Sequence, residues 1–505
     1  MLGNYFKIAW RNLTRNKSYA VINIIGMAVG VAVCMMIFII IQYHTSFDAF
    51  HSKKDRIYRV LTEYHHEETG NTTYGKDLPF PLPRGLKTAF PQIEQIAPVF
   101  ASHDDALLIL DDKGATIKTF KEQHGLFYAG PSFFKIFDFP LLEGSYESLK
   151  DPDNVFLTKE IAEKYFGDWK SAMGKTIKLQ MGGFIFEHGT DVLKVSGILA
   201  PVPANSDFQL KLVVSFGSGF TGNYLSKSSE WYQTVADFGC FILLPSNIAT
   251  NDFNRQLGDL ARRVQSVDNK NSYTIQPLSL IHYDTGVGDY SNQTISHQLL
   301  NVLWLIAVFI LLIACVNFVN LSTAQAVNRA KEVGVRKVLG SSKSQLQIQF
   351  IVETFFIVAS AVVLAAVITL LALPYLRQVL ELSLSFNLFS NPSIILFLLT
   401  VTIVVTALAG FYPSIVLSRF NPVNALKSKL NSNSNGISLR RGLVVFQFII
   451  AQVLIIGTLI IVKQMNYFMD QPLGFDKDAI INVPFRVDSV RIARLDYLKD
   501  RKSVV

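Results

Sequence analysis

The chain has 505 residues, of which 50% are hydrophobic and 17% charged, with a net charge of +8 and a positive mean hydropathy. That balance excludes an ordinary soluble globule and points to several membrane spans. The three cysteines, Cys34, Cys240 and Cys315, are too scattered for a disulfide framework or a thiolate metal site and read as small buried hydrophobes.

In chain order, residues 1–19 form a basic, cytoplasmic helical lead-in: Lys7, Arg11, Arg15 and Lys17 stand there with no acid. Residues 20–42 are the first predicted span. The run AVINIIGMAVGVAVCMMIFIII is uncharged and long enough for a hydrocarbon core of about 30 Å. It exceeds the length of a secretory h-region, so it reads as a retained span. Gly26 and Gly30 form a small-xxx-small pair that seats a neighbouring helix.

Residues 43–297 read as a polar insert of mixed α and β structure. DRIYRVLTEY, ALLILDD and LKVSGIL have strand character. TKEIAEKYFG (158–167) has the spacing of a short helix, with Ile161, Ala162 and Tyr165 on one face and Gly167 ending it. WKSAMGKT (169–176) ends like a phosphate-binding loop, but Trp169 occupies the place of its first glycine, so it reads as part of the outer fold. His65-His66, followed by Glu67 and Glu68, lacks any spaced Cys/His set and reads as a solvated turn. No nucleophile–base pair or G-x-S-x-G elbow is present.

Four further spans follow at 298–320, 350–373, 394–417 and 442–462. Pro374 is expected to close the third. Residues 321–349 form one loop between spans, 418–441 another, and 463–505 begin a second outer segment. Sidedness follows from the positive-inside rule. Arg329, Lys331, Arg336, Lys337 and Lys343 crowd the loop after span two, and Arg419, Lys427, Lys429, Arg440 and Arg441 the segment after span four. The insert 43–297 is six net negative and falls outside. The basic excess is therefore a topology signal, which removes the main support for nucleic-acid binding.

The loop after span two is expected to continue that span as a helix, with Glu332 paired to Arg336 at i,i+4. Gly340-Ser341-Ser342 then breaks it, and Ser342 with Gln345 has the capping-box spacing that starts the next helix. The product is a basic elbow at the inner face, either resting on anionic headgroups or serving as a handle for a cytoplasmic protein. Glu353, one turn into span three, reads as an intramembrane acid, with Arg336 or Arg329 as candidate partner.

RAKEVGVRKVLGSSKSQLQIQFIVE resembles the signature of the FtsX/MacB-like permeases of ABC transporters. NYFKIAWRNLTRNKSYAVINIIGMAVGVA is similar to that family's first span. FFKIFDFPLLEG, VFLTKEIAEKYFG, MGKTIKL and VSGILAPVPANSDFQL resemble the MacB-type periplasmic domain. LRRGLVVFQFIIAQVLIIGTLIIVKQMNYFMDQPLGFDKDAIINVPF looks like the start of a second, homologous half. The resemblance implies an α-helical membrane protein whose mixed α+β extracytoplasmic domain is inserted between spans one and two. It implies a multi-pass location in a bacterial inner membrane, N-terminus inside. It further implies a coupling elbow formed by Arg329, Lys331, Glu332, Arg336, Lys337, Gly340 and Ser342, contacting a cytoplasmic ABC ATPase. ATP-Mg belongs to that partner, since no Walker motif occurs here, and this chain binds no cofactor or metal and catalyses nothing. A second copy or permease half and a periplasmic adaptor are the other implied partners. The work implied is export or mechanotransmission. A two-repeat member continues beyond RLDYLKDRKSVV, so the resemblance implies a fragment or truncated product. The alternatives are a membrane-anchored ligand sensor, disfavoured by short inner segments, and an outward-facing membrane enzyme, which lacks a recognisable catalytic pair.

Overall fold

The computed structural model describes residues 11, 17–66, 69–111, 114–181, 190–219, 221–265, 271–384, 392–419 and 434–472; within these, the backbone alone is described for 190, 326–332, 416, 417, 419 and 434–440. The chain divides into a helical unit, up to Tyr43 and again from Gln298, and a mixed unit, His44–His297.

The helical unit contains five helices long and apolar enough to cross a membrane. These span helices are Lys17–Thr45, His297–Val338, Lys343–Leu380, Pro392–Arg419 and Ser434–Asp470. The second runs without a break from its apolar part into the basic stretch. Pro374 does not close the third, which continues to Leu380. A proline removes only its own N–H and crowds one carbonyl, a defect that packed apolar helices absorb. The helix ends instead at Glu381, in the left-handed region with φ 54°, and Arg377 Nε donates to the Leu384 carbonyl beyond it at 2.5 Å.

Small residues set the close approaches. A Cβ on Gly30 would lie 2.7 Å from Ala314 Cβ, and one on Gly26 3.6 Å from Asn317 Nδ2. The first and second span helices therefore meet along that glycine stripe. Tyr19 and Ser322 hydroxyls hydrogen-bond at 2.6 Å toward one end of the contact, and Phe38 packs edge-on to Trp304 at 6.3 Å toward the other. Gly410 does the same for the fourth helix against the third, a Cβ there lying 3.3 Å from Thr354.

The mixed unit is organised by one thirteen-stranded sheet. Its strands are β1 (Ile57–His65), β2 (Thr72–Gly75), β3 (Gln95–Ser102), β4 (Asp105–Leu110), β5 (Thr116–Glu122), β6 (Leu126–Ala129) and β7 (Leu141–Gly144). They continue as β8 (Asn154–Thr158), β9 (Thr176–Gln180), β10 (Thr190–Leu199), β11 (Leu212–Ser215), β12 (Phe238–Leu243) and β13 (Ser272–Pro277). The spatial order is β13-β1-β12-β3-β6-β11-β8-β10-β9-β4-β5, with β2 on β1 and β7 on β10. β6/β11 and β8/β10 are parallel; the other pairs run antiparallel.

Two-residue alternation sends each strand's side chains into two cores. Val155 and Leu157 enter one and Phe156 the other. On β12, Cys240 and Ile242 face the first core while Phe241 and Leu243 face the second. The second core is rich in phenylalanine: the helix Pro131–Ile136 and the residues after it bring Phe133, Phe134, Phe137 and Phe139 against Phe208 and Phe241. The helix Lys159–Phe166 buries Ile161, Ala162 and Tyr165 and ends at Gly167, φ 84°, a position that favours glycine.

Candidate functional site

The elbow between the second and third span helices is built by two consecutive caps. Val338 ends one helix, and the N–H groups of Leu339, Gly340 and Ser341 turn back to the carbonyls of Val335, Lys337 and Arg336. Gly340 takes φ 96°, where a side chain is strained. Ser342 Oγ then accepts the N–H of Gln345, and Gln345 Oε1 accepts the N–H of Ser342. This reciprocal capping box satisfies two orphan donors of the third helix.

Two cations tie the elbow to its surroundings. Arg336 Nη1 donates to Gln349 Oε1 at 2.8 Å, across the turn. Lys337 Nζ donates to the Ser418 carbonyl at 2.6 Å, where the last turn of the fourth span helix carries partial negative charge. Partial burial and the neighbouring Lys343 charge hold the Lys337 ammonium below its ordinary pKa. Gln347 Nε2 donates to Ser418 Oγ at 3.2 Å. The tip between these anchors is apolar and open: Val338 is 67% exposed and Leu339 80%. The side chains of Arg329, Lys331 and Glu332 lie outside the described residues, and with them the expected Glu332–Arg336 pair.

Glu353 is 4% exposed on the third span helix. It lines a cavity of about 20 Å³ with Tyr19, Ser322, Gln325, Thr354 and Gly410, which is room for about one water. Gln349, one turn earlier, takes a hydrogen bond from Arg336. Gln347, Gln349 and Ser418 escaped the sequence reading because uncharged polar residues near a span end carry no signal of their own. Val338 and Leu339 escaped it because an isolated apolar pair in a basic loop carries no periodicity of its own.

In the mixed unit, WKSAMGKT is no nucleotide loop. Trp169–Ala172 is a 3-10 turn, and the chain passes into β9 rather than into a helix. The Gly174 N–H is spent on the Val195 carbonyl at 2.8 Å. His65, the last residue of β1, and His66 bond to the Thr72 and Thr73 hydroxyls of β2, at the exposed end of that strand pair; Glu67 and Glu68 lie outside the described residues. Cys34, Cys240 and Cys315 are buried free thiols, and burial pushes the Cys240 thiol up. Among the described residues no three His, Cys, Asp or Glu side chains gather as a metal set.

Both parts of the chain are similar to known proteins. A family model for the MacB-like periplasmic core domain matches residues 20–260, and one for the FtsX-like permease C-terminal region matches residues 304–422. The macrolide export ATP-binding/permease proteins MacB of two strains of Campylobacter jejuni subsp. jejuni are each 22% identical over 124 residues. That alignment spans 25% of this chain and 19% of each relative's length. Among solved structures, a domain of a protein assigned as a permease from Porphyromonas gingivalis superimposes with TM-score 0.37 at 17% identity, covering 45% of this chain and 91% of that one. The periplasmic region of MacB from Actinobacillus actinomycetemcomitans gives TM-score 0.31 at 15% identity, with 45% and 91% covered.

Proposed function

The chain belongs to the MacB/FtsX-like permease family, and from that premise we propose that it is the membrane-spanning permease of an ABC transporter, moved by a separate cytoplasmic ATPase. The observation that carries this reading is the elbow: a doubly capped turn, anchored on three helices, with an exposed apolar tip among cations. Attraction to anionic headgroups uses the cations; it makes no use of the elbow's capped geometry. Exposed Val338 and Leu339 beside Arg336 and Lys337 suit a protein surface with an apolar notch and an acidic rim.

In this reading the permease itself catalyses nothing, and ATP-Mg stays on the partner. No Walker-type loop occurs among residues 1–505. Arg329, Lys331 and Glu332 extend the contact along the second span helix, Gly340 supplies the turn, and Ser342 fixes the start of the third. Closure of the ATPase pushes on the tip. Because Arg336 reaches Gln349 and Lys337 reaches Ser418, the second, third and fourth span helices receive the push together. Gly26 and Gly30 bring the first helix along by close contact with Ala314 and Asn317. Glu353 serves as the buried acid at the junction of those helices, where an ionisable group otherwise costs stability. The motion then reaches the extracytoplasmic sheet unit as mechanical work, for export or for control of an outer target. The elbow faces the cytoplasm of a bacterium whose inner membrane holds the chain, a second copy or permease half completes the assembly, and a periplasmic adaptor is the further partner.

Co-purification with the cytoplasmic ATPase tests the reading. The double variant Arg336→Glu/Lys337→Glu breaks the elbow's bonds to Gln349 and Ser418 and reverses the charge it offers a partner; it is expected to lower recovery of the ATPase by about tenfold or more and to remove permease-dependent ATP turnover. Recovery and turnover equal to wild type would overturn the elbow assignment.

A further inference from the structure

The chain enters the sheet unit at His44–Asp48 and leaves it through Leu278–Ile295, and buried side chains fasten these two stretches together. His44 Nδ1 lies 2.8 Å from His282 Nε2, and the two residues are only 6% and 4% exposed. The Phe47 ring stacks on His282 with centroids 3.7 Å apart. Tyr283 donates its hydroxyl to the His44 carbonyl at 3.2 Å, and its ring stacks on His297. On its other side His282 presents Nδ1 to the Asp289 carboxylate at 3.6 Å.

Charged groups line the two stretches. Asp289 also accepts the Ser291 hydroxyl and the Gln293 N–H. Asp207 accepts the N–H groups of Tyr290 and Ser291 at 2.5 and 3.2 Å. Asp48 accepts the Ser206 hydroxyl and the Asp207 N–H, and His51 stands 3.6 Å from it. Arg59, fully buried, is the permanent cation nearby; it donates to Gln276 and to the Gly288 carbonyl.

A hydrogen bond between two ring nitrogens needs one donor and one acceptor. The neutral pair supplies both. So does a pair with one added proton: His282, protonated at both nitrogens, faces Asp289 with Nδ1–H and donates Nε2–H to His44. A second proton places N–H on both facing nitrogens, and the contact becomes a repulsion between cations in a buried site, which such sites cannot hold. We propose that the His44–His282 pair is a proton-released fastener, closed while it carries at most one added proton and open when both rings are protonated. Acidification of the compartment that bathes the sheet unit then frees the inbound stretch from the outbound one. An unperturbed imidazole titrates near about pH 6.5, and burial resists the second proton, so release falls on the acid side of that value. The inference stands on the sheet unit alone and holds whether or not an ATPase drives the helices.

Hydrogen exchange of the full chain in lipid nanodiscs, corrected for intrinsic rates, reads the fastener directly. Between about pH 7.5 and about pH 5, amides of 44–48 and 282–290 are expected to lose about tenfold or more of their protection, reversibly, while β8 keeps its own. His44→Gln presents a carbonyl to His282 Nε2–H and gains no proton. It should keep most of the neutral-pH protection and lose the acid response. Asp289→Asn removes the carboxylate that faces His282 Nδ1 and should change the pH at which protection is lost. Equal wild-type protection at both pH values would overturn the proposal. So would an unchanged acid response in both His44→Gln and His282→Gln, which would assign the titration to Asp48, Asp207 and Asp289.

Discussion

The elbow between the second and third span helices turns on exposed residues, whereas the base of the sheet unit is closed by buried ones. At the elbow, Leu339 stands in the open and the holding contacts are a capping box and two cationic hydrogen bonds near the surface. At the base, Arg59, Asp207 and the two histidines are almost wholly excluded from solvent. The difference teaches what each can do. A surface joint costs little to strain and presents groups for a partner to grip. A buried polar joint costs little only while every donor and acceptor is matched, so one proton beyond what it can pair, or one truncation, changes its state.

Substitutions test that contrast in order of their expected cost. Arg59→Ala leaves Gln276 and the Gly288 carbonyl without their donor and the buried acids without their cation. Breaking a buried charged network typically costs about 3–5 kcal/mol, read as a large drop in the unfolding midpoint of the full chain. Asp48→Ala orphans the Ser206 hydroxyl and the Asp207 N–H, about 1–3 kcal/mol in the same assay. Ser342→Ala removes one half of the capping box, about 1 kcal/mol, and should be visible as faster exchange in the first turn of the third helix. Equal costs at Arg59 and Ser342 would erase the distinction between the two joints.

Burial order also bears on what could be read from the chain. The five apolar runs fall within five long helices, because lipid-crossing length and low charge are local properties. The helix Lys159–Phe166 was legible for the same reason: its buried face and terminal glycine are written within ten residues. Pro374 misled because proline in isolation argues for a helix end, while packed apolar neighbours carry the helix on to Leu380. The elbow's turn chemistry was legible, since Gly340 and the Ser342/Gln345 spacing are contiguous. Its anchor on Ser418 was not, because Lys337 and Ser418 meet across 81 positions. The histidine pair was least legible of all. Its members are 238 residues apart, each sits alone in its segment, and a single histidine carries no periodicity or motif to betray a partner.

The account turns on which side of the membrane the basic elbow faces. A single reporter cysteine, Ser341→Cys, distinguishes the two sides, because Cys34, Cys240 and Cys315 are buried and react slowly. Spheroplasts are treated with a membrane-impermeant maleimide before and after permeabilisation. The account predicts labelling at position 341 only after the inner membrane is opened; rapid labelling of intact spheroplasts would place the elbow outside and contradict it.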